Sequence, residues 1–261
     1  MMGRSHALTG WCAGLGVATV IGTGSVEQSL VFAATTAGFA LLPDLDHPGA
    51  RASKLLGPVT GGLSWLLRKA SGSFYQLTKG PRDERGKGTH RHLSHTILFA
   101  LALGGLTALG TAKGGPWAVA GVVLFGLLLA EDALGDWVLP VGGGAVVWWV
   151  YEAGPDPLAE LAAVSGHLGI AVAVGCFTHC LGDALTESGC PFLFPLPIAG
   201  ETWYEIRPPS FLRFRTGKKV ENLVVFPFFV VLAVLLMPGV WEFLVVTAEH
   251  LFVPPSSRTA S

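Results

Sequence analysis

Seven stretches of the chain are almost free of charge, and their length predicts helices. One covers residues 223–241, which is close to the ~20 residues that a helix needs to cross a bilayer. The other six are 7–26, 29–43, 96–112, 116–130, 139–151 and 161–181. Glycine is abundant, and small residues let membrane helices approach closely. The pattern predicts an all-α, polytopic helical membrane protein with about six or seven apolar helices.

The composition supports a membrane class. Charged residues make up 13% of the chain, about half of the ~25% that is usual in soluble domains. Hydrophobic residues reach 51%, and the mean hydropathy is +0.54. The alternative is a soluble all-α protein with buried core helices. That alternative is disfavoured because the apolar runs are many and the polar surface is scarce.

The distribution of lysine and arginine predicts an orientation. Residues 51–91 hold nine of these cations and residues 207–219 hold five, so the positive-inside rule makes both stretches cytoplasmic. Seven crossings from a cytoplasmic N-terminus leave only Lys113 and Arg258 outside. We therefore expect a multi-pass protein of the inner (plasma) membrane. A cleavable signal peptide starting near Arg4 is the alternative, and its removal would take His6 away and invert the topology.

The chain reads as a single helical membrane-embedded domain over residues 1–250. Residues 51–89 are interpreted as a basic cytoplasmic loop insertion, and residues 251–261 as a polar tail. The formal net charge of −1 carries no signal for nucleic-acid binding. The four cysteines form no CxxC pair, so we predict neither a disulfide framework nor a thiolate metal site.

A Pro-Asp-Leu-Asp-His-Pro stretch closes the second apolar run. Its prolines favour an extended or turned backbone, in which Asp44 and Asp46 would lie on the same side. Two adjacent carboxylates repel each other unless a cation lies between them. With His47 next to them, they predict a metal site. The alternative is that both aspartates simply form turns or cap helices.

His179 and Asp183 are spaced i, i+4 at the end of another apolar run. On a helix both side chains leave the same face, which makes a two-ligand platform for a metal ion. Two alternatives remain open. Asp183 could orient the His179 ring instead of binding the ion, or the two could form a satisfied polar pair at the helix end.

Three histidines precede the run that begins at Thr96. His90 and His95 are predicted ligands, and His92 is left as an outer group or a group facing the substrate. Arg91 suits phosphate, because its guanidinium fork matches phosphate oxygens. The alternative is a solvated basic loop.

The predicted topology brings His6 to the same membrane face as these three clusters. Three acidic residues near the end of the fourth run have three alternative roles, as further metal ligands, as a proton relay or as ordinary surface charges: Glu131, Asp132 and Asp136. Two other histidines have no partner in sequence and are interpreted as structural: His167 and His250.

The order of these motifs resembles the YdjM-type family of inner-membrane-associated proteins, which are expected to be metal-dependent hydrolases. The resemblance covers residues 6–221, and it rests on these residues: His6, the stretch 42–48, His90, Arg91, Ser94, His95, His179, Asp183, Thr186, Gly189, Thr216, Gly217 and Glu221. A remoter similarity to the zinc phospholipase C and single-strand nuclease superfamily implies zinc ions acting on a phosphoester. His92 stands where the family pattern leads us to expect a small residue, and residues 51–88 match no motif.

Together these observations predict a metal-dependent hydrolase that acts on a phosphoester through a metal-activated water. The predicted cofactor is a divalent metal, with zinc preferred, and the partners are membrane lipids and a small or lipid-linked substrate. The predicted catalytic residues are Asp44, Asp46, His95 and Arg91. The predicted metal ligands are His6, Asp44, Asp46, His47, His90, His95, His179 and Asp183. The alternatives are a metal-ion or proton transporter and a non-catalytic protein with a structural metal.

Overall fold

The computed structural model describes residues 1–47, 49, 52–54, 57–152, 154 and 156–252. These residues are helical with connecting loops, and they contain isolated β-bridges but no strand. The predicted all-α class is therefore confirmed. Pro48, Arg51 and most of the predicted polar tail (253–261) lie outside the described residues.

Nine α-helices and several short helices make up the described part of the chain. The α-helices are α1 Gly3–Ile21, α2 Val26–Phe39, α3 Pro58–Thr78, α4 Ile97–Leu134, α5 Val138–Glu152, α6 Pro157–Ala163, α7 Ser165–Ala184, α8 Phe226–Leu235 and α9 Val240–Phe252. The short 3₁₀ helices are Leu42–Asp46, Ala52–Lys54, Leu93–His95 and Ser210–Leu212, and Glu221–Val225 is a π-helical turn.

The core is a bundle of α1, α2, α4 and α7, and glycines allow these helices to pack closely. A Cβ atom on Gly104 of α4 would lie 2.6 Å from the carbonyl oxygen of Gly169 on α7. A Cβ atom on Gly38 of α2 would clash with the carbonyl of Gly126. Backbones so close to each other are typical of membrane helix pairs.

Helix α4 reverses its direction at Gly115, which has non-helical φ and ψ angles of 63° and −157° and precedes Pro116. A straight helix of 38 residues would be about 57 Å long, far more than a bilayer core of about 30 Å. Instead, Ala100 and Leu129 belong to the same buried cluster. The two halves of α4 therefore lie at the same level of the bundle, with Gly104 against α7 and Gly126 against α2, and they correspond to the predicted runs 96–112 and 116–130.

Taken as continuous helices, α4 and α7 are the two described helices that are long and apolar enough to cross a membrane, and the turn at Gly115 divides α4 into two apolar segments. The pair Glu221–Leu235 and Val240–Ala248 would add a third crossing if this 80° bend interrupts a single span. The predicted six or seven crossings are too many by this measure. Helices of 14, 15 and 10 residues (α2, α5 and α8) are shorter than a span requires. About half of α1 is buried in the bundle.

Two local predictions also need correction. The aspartate stretch is not extended but forms the 3₁₀ helix Leu42–Asp46, in which Pro43 occupies the first turn. With about three residues per turn, Asp44 and Asp46 point in different directions. The basic stretch 51–89 is not all loop, because it contains the 21-residue helix α3.

Candidate metal centre

Five ionisable side chains from four segments meet at one end of the bundle. His6 comes from α1, Asp44 from the 3₁₀ helix after α2, His95 from the segment before α4, and His179 and Asp183 from the end of α7. They form two groups that share His179. The candidate ligand atoms in each group lie within 4.8 Å of one another: His6, Asp44 and His179 in one, His95, His179 and Asp183 in the other.

Local structure explains why these segments approach. The His6 and His179 rings stack with centroids 3.8 Å apart. Gly182 allows this approach, because a Cβ atom there would lie 3.1 Å from Cε1 of His6. On the other side, the Thr96 hydroxyl accepts a hydrogen bond from the Phe99 N–H at 3.1 Å. This cap begins α4 directly after His95 and so fixes that histidine at the end of the bundle.

The orientation of His179 is set by a backbone carbonyl. Its Nδ1–H donates to the carbonyl oxygen of Ala40 at 2.8 Å, so the Nε2 lone pair points into the centre. Nε2 of His95 lies 3.2 Å from this atom. Two nitrogen ligands of a tetrahedral zinc ion are about 3.3 Å apart, given bonds of about 2.0–2.1 Å. The pair is therefore spaced as ligands of one metal ion would be.

Asp183 lies at the middle of the group. Its Oδ1 is 2.5 Å from the Met1 amino group and 3.3 Å from Nε2 of His6, and its Oδ2 is 3.1 Å from the Arg91 guanidinium. These contacts leave both ring nitrogens of the buried His6 without a well-aligned hydrogen bond among the described residues. Buried polar atoms are normally paired. An imidazole left in this way beside the Asp183 carboxylate offers donors that fit a divalent metal ion.

Asp46 lies behind the five converging residues and is fully buried. Its carboxylate accepts hydrogen bonds from the Ser94 hydroxyl at 2.6 Å and the Arg91 N–H at 3.0 Å, and lies 2.5 Å from Nδ1 of His90. Arg91 adopts a positive φ of 56°, which is uncommon for a residue with a side chain. The bond to Asp46 holds this backbone turn in place. Asp46 thus positions the His90–His95 segment.

Charges in the centre shift the pKa values of its members. Burial opposes ionisation of Asp46, but the charge of His95 and the hydrogen bond from His90 outweigh it and hold the pKa of Asp46 well below its usual range. Burial alone would lower the pKa of His95, yet the negative charge of Asp46 raises it to about 9. Burial lowers the pKa of His6. The environment therefore favours a proton on His95 beside Asp46 and a neutral imidazole at His6, and a divalent ion at Nε2 of His95 would compete with that proton.

One side of the centre is open. His6, His95, His179 and Asp183 are at most 1% exposed, whereas Asp44 is 26%, Arg91 24% and His90 34% exposed. His47 is also exposed. Its Nδ1 accepts a hydrogen bond from the Gly49 N–H, and its ring meets His90 edge-on. His47 and His90 therefore lie at the rim. Their role as metal ligands, and that of Asp46, remains a prediction.

The remaining candidates lie outside the converging groups. The His92 ring packs 4.4 Å from Tyr75 and 5.3 Å from Trp203, and its Nδ1 bonds to the His90 carbonyl. Burial lowers its pKa. Glu221 accepts hydrogen bonds from the Met2 and Gly217 N–H groups, so it ties the N-terminus to the last apolar segment. Neither group of candidate ligands among the described residues contains the other four candidates, which are Glu131, Asp132, Asp136 and His167.

Two groups that contact the centre were not predicted from the sequence. The Ala40 carbonyl and the Met1 amino group act through backbone atoms, which no side-chain pattern reveals. Ser94 was noted as part of a motif, but its bonds to Asp46 and to Nδ1 of His95 depend on the fold.

The fold and the site together define a helical membrane protein with a buried His–Asp centre at one end of its bundle. A family model described as YdjM inner membrane protein matches residues 1–244. The chain belongs to this family, and it is a protein of the inner membrane. No curated protein matches the chain, and no solved structure matches it.

Proposed function

We propose that the protein is a membrane-bound metal-dependent hydrolase that acts on a phosphoester. The proposal rests on one observation: five His and Asp side chains converge in a buried group that is open on one side. Catalytic metal sites leave a coordination position to water or substrate, while structural sites are fully ligated by protein. The partial exposure of Asp44 and Arg91 would let water and substrate reach the group, which supports catalysis over a purely structural metal.

Some of these residues would bind the metal and others would bind the substrate or orient the ligands. His6, Asp44, His95, His179 and Asp183 are the proposed ligands, and zinc is the proposed ion because the donors are nitrogen and oxygen. A bound divalent ion would supply a water that ionises near neutral pH and a positive charge against the reacting group. Asp46 would keep His95 and His90 oriented.

Arg91 is the proposed substrate-binding group. Its guanidinium is partly exposed at the rim, where its planar fork could take two oxygens of a phosphate. The site lies at the end of the bundle where α4 begins and α7 ends, which is close to the expected bilayer surface. A lipid-linked phosphoester reached from the cytoplasmic side would suit this position.

A transporter would use the same residue types differently. It would need polar groups along a path through the membrane. In this protein the ionisable side chains gather at one end of the bundle, which supports hydrolysis instead.

The proposal is tested by metal analysis and an activity panel on the purified protein. We expect close to stoichiometric divalent metal in the wild type and hydrolysis of at least one phosphoester. Asp44→Asn should abolish most of the activity, because Asp44 is the exposed member of the ligand group. Asp136→Asn is the matched control, since it removes an exposed carboxylate outside the group. Metal-free wild type, or equal activity in the two variants, would refute the hydrolase.

A further inference from the structure

Helix α3 carries an apolar stripe that points away from the protein. The stripe consists of Val59, Leu63, Leu66, Ala70 and Leu77, which lie on one helical face at a period of 3.6 residues. The four large side chains are 69%, 42%, 55% and 84% exposed. From first to last the stripe is about 27 Å long. A soluble protein would turn such a face inward.

The face of α3 that packs on the protein lies about a third of a turn from the stripe and is mostly polar. Its buried residues are Thr60, Ser64, Ser71 and Tyr75. Ser71 donates to the Gly88 carbonyl at 2.6 Å and accepts from the Leu93 N–H at 3.2 Å, and the Tyr75 hydroxyl donates to the Glu84 carbonyl at 2.5 Å. The partly buried Leu67 and Phe74 also pack on the protein. The anchored side of the helix is therefore mostly polar, and its apolar stripe is free.

The anchor points place α3 beside the candidate metal centre. Its polar face contacts the 3₁₀ helices Leu42–Asp46 and Leu93–His95, which carry Asp44 and His95. Helix α4 starts two residues after His95, and α7 ends one residue after Asp183. The apolar α4 and α7 therefore leave the bilayer at this end, and α3 lies at the same level.

Cations and a tryptophan lie on other sides of α3. Lys69 is about a quarter-turn from the stripe, Arg68 is opposite it, and Lys54 lies shortly before the helix. The Lys69 ammonium is 5.0 Å from the centre of the Trp65 ring, which is 55% exposed. Lysine, arginine and tryptophan are the residues that anchor helices among anionic lipid headgroups.

We infer that α3 lies in the plane of the membrane surface, with its stripe among the lipid acyl chains and its polar face on the protein. The occupant of the stripe is the bilayer, because the protein is an inner membrane protein and the spanning helices end at this level. An amphipathic helix with cations beside its apolar face is typical of such interfacial segments. The mouth of the metal centre is thereby held at the lipid surface.

Spin labels on α3 test this arrangement in the full chain. The four native cysteines are buried, so a thiol-reactive spin label would attach selectively to Leu63→Cys or Leu66→Cys. Gln76→Cys is the control on the same helix, roughly a quarter-turn from the stripe, and Arg85→Cys is the control in the exposed loop. The labelled proteins are reconstituted into vesicles of phosphatidylethanolamine and phosphatidylglycerol.

We expect the labels at positions 63 and 66 to be accessible to oxygen and shielded from an aqueous nickel chelate. The label at position 85 should show the reverse, and the label at position 76 should be several-fold more accessible to nickel than the stripe. Nickel accessibility at the stripe equal to that at position 85 would overturn the inference. Shielding from both reagents, or spin–spin broadening that disappears on dilution with unlabelled protein, would assign the stripe to a protein partner or a second copy and also overturn it. The measurement requires no bound metal and no turnover, so its outcome is separate from that of the proposed hydrolase.

Discussion

Single residues in the centre divide into those that would face a metal and those that hold them in place. His179 owes its direction to the Ala40 carbonyl, and His95 owes its direction to Asp46 and Ser94. Such supporting contacts fix the tautomer and the ring plane of a ligand before any ion arrives. Substitution of a supporting residue should therefore lower the stability of the protein, whereas substitution of a ligand should lower its activity.

Asp46→Asn should destabilise the protein by about 1–3 kcal/mol. The substitution keeps the shape but replaces the buried carboxylate that accepts hydrogen bonds from the Ser94 hydroxyl and the Arg91 N–H. Unfolding of the purified protein in detergent measures the loss. Glu205→Gln is the control, because Glu205 pairs with Arg207 at the surface and its loss should cost less than about 1 kcal/mol. Equal effects in the two variants would contradict the role given to Asp46.

At the scale of elements, the bundle depends on positions without a side chain. Gly104 and Gly169 let α4 and α7 approach through their backbones, and Gly38 and Gly126 do the same for α2 and α4. Since α7 carries His179 and Asp183, the distance between these helices also sets the distance between ligands. The abundance of glycine was noticed in the sequence, but its pairing was not predictable.

Gly104→Ala and Gly105→Ala should have opposite effects although the residues are adjacent. An added methyl at position 104 would meet the Gly169 carbonyl at 2.6 Å, so we expect a loss of about 1–3 kcal/mol. At position 105 nothing lies within 4 Å, and alanine should gain about 0.5–1 kcal/mol through its helix propensity. Thermal unfolding in the same detergent compares them. A loss at both positions would show that packing is not the cause.

At the scale of the whole molecule, the basic segments and the metal centre share one end of the bundle. The turn of α4 at Gly115 lies at the other end, because both ends of α4 return to the centre. Lys113, next to this turn, is exposed and was the cation expected outside the cytoplasm. The charge pattern and the path of α4 thus both place Lys113 on the side of the membrane opposite to the basic segments and the metal centre.

Thiol labelling checks this orientation. A membrane-impermeant maleimide should modify Lys113→Cys in intact spheroplasts and Arg85→Cys only in inverted membrane vesicles. Both positions are exposed, and the native cysteines are buried, so background labelling should be low. Modification of both variants from the same side would refute the reversal at Gly115, and labelling of each from the other side would place the centre outside the cytoplasm.

The sequence by itself determined the helical class, the membrane location and most of the residues of the centre. Apolar runs and ligand-type side chains at their ends are local features, and clusters of His and Asp stand out in a composition that is poor in charge. Only the tertiary structure decided which ligands converge, because Asp44 and Asp46 diverge on a 3₁₀ turn that their spacing did not reveal. It also decided the outward direction of the α3 stripe. The periodicity of a helix specifies that it has an apolar face, but its neighbours determine whether that face meets protein or lipid.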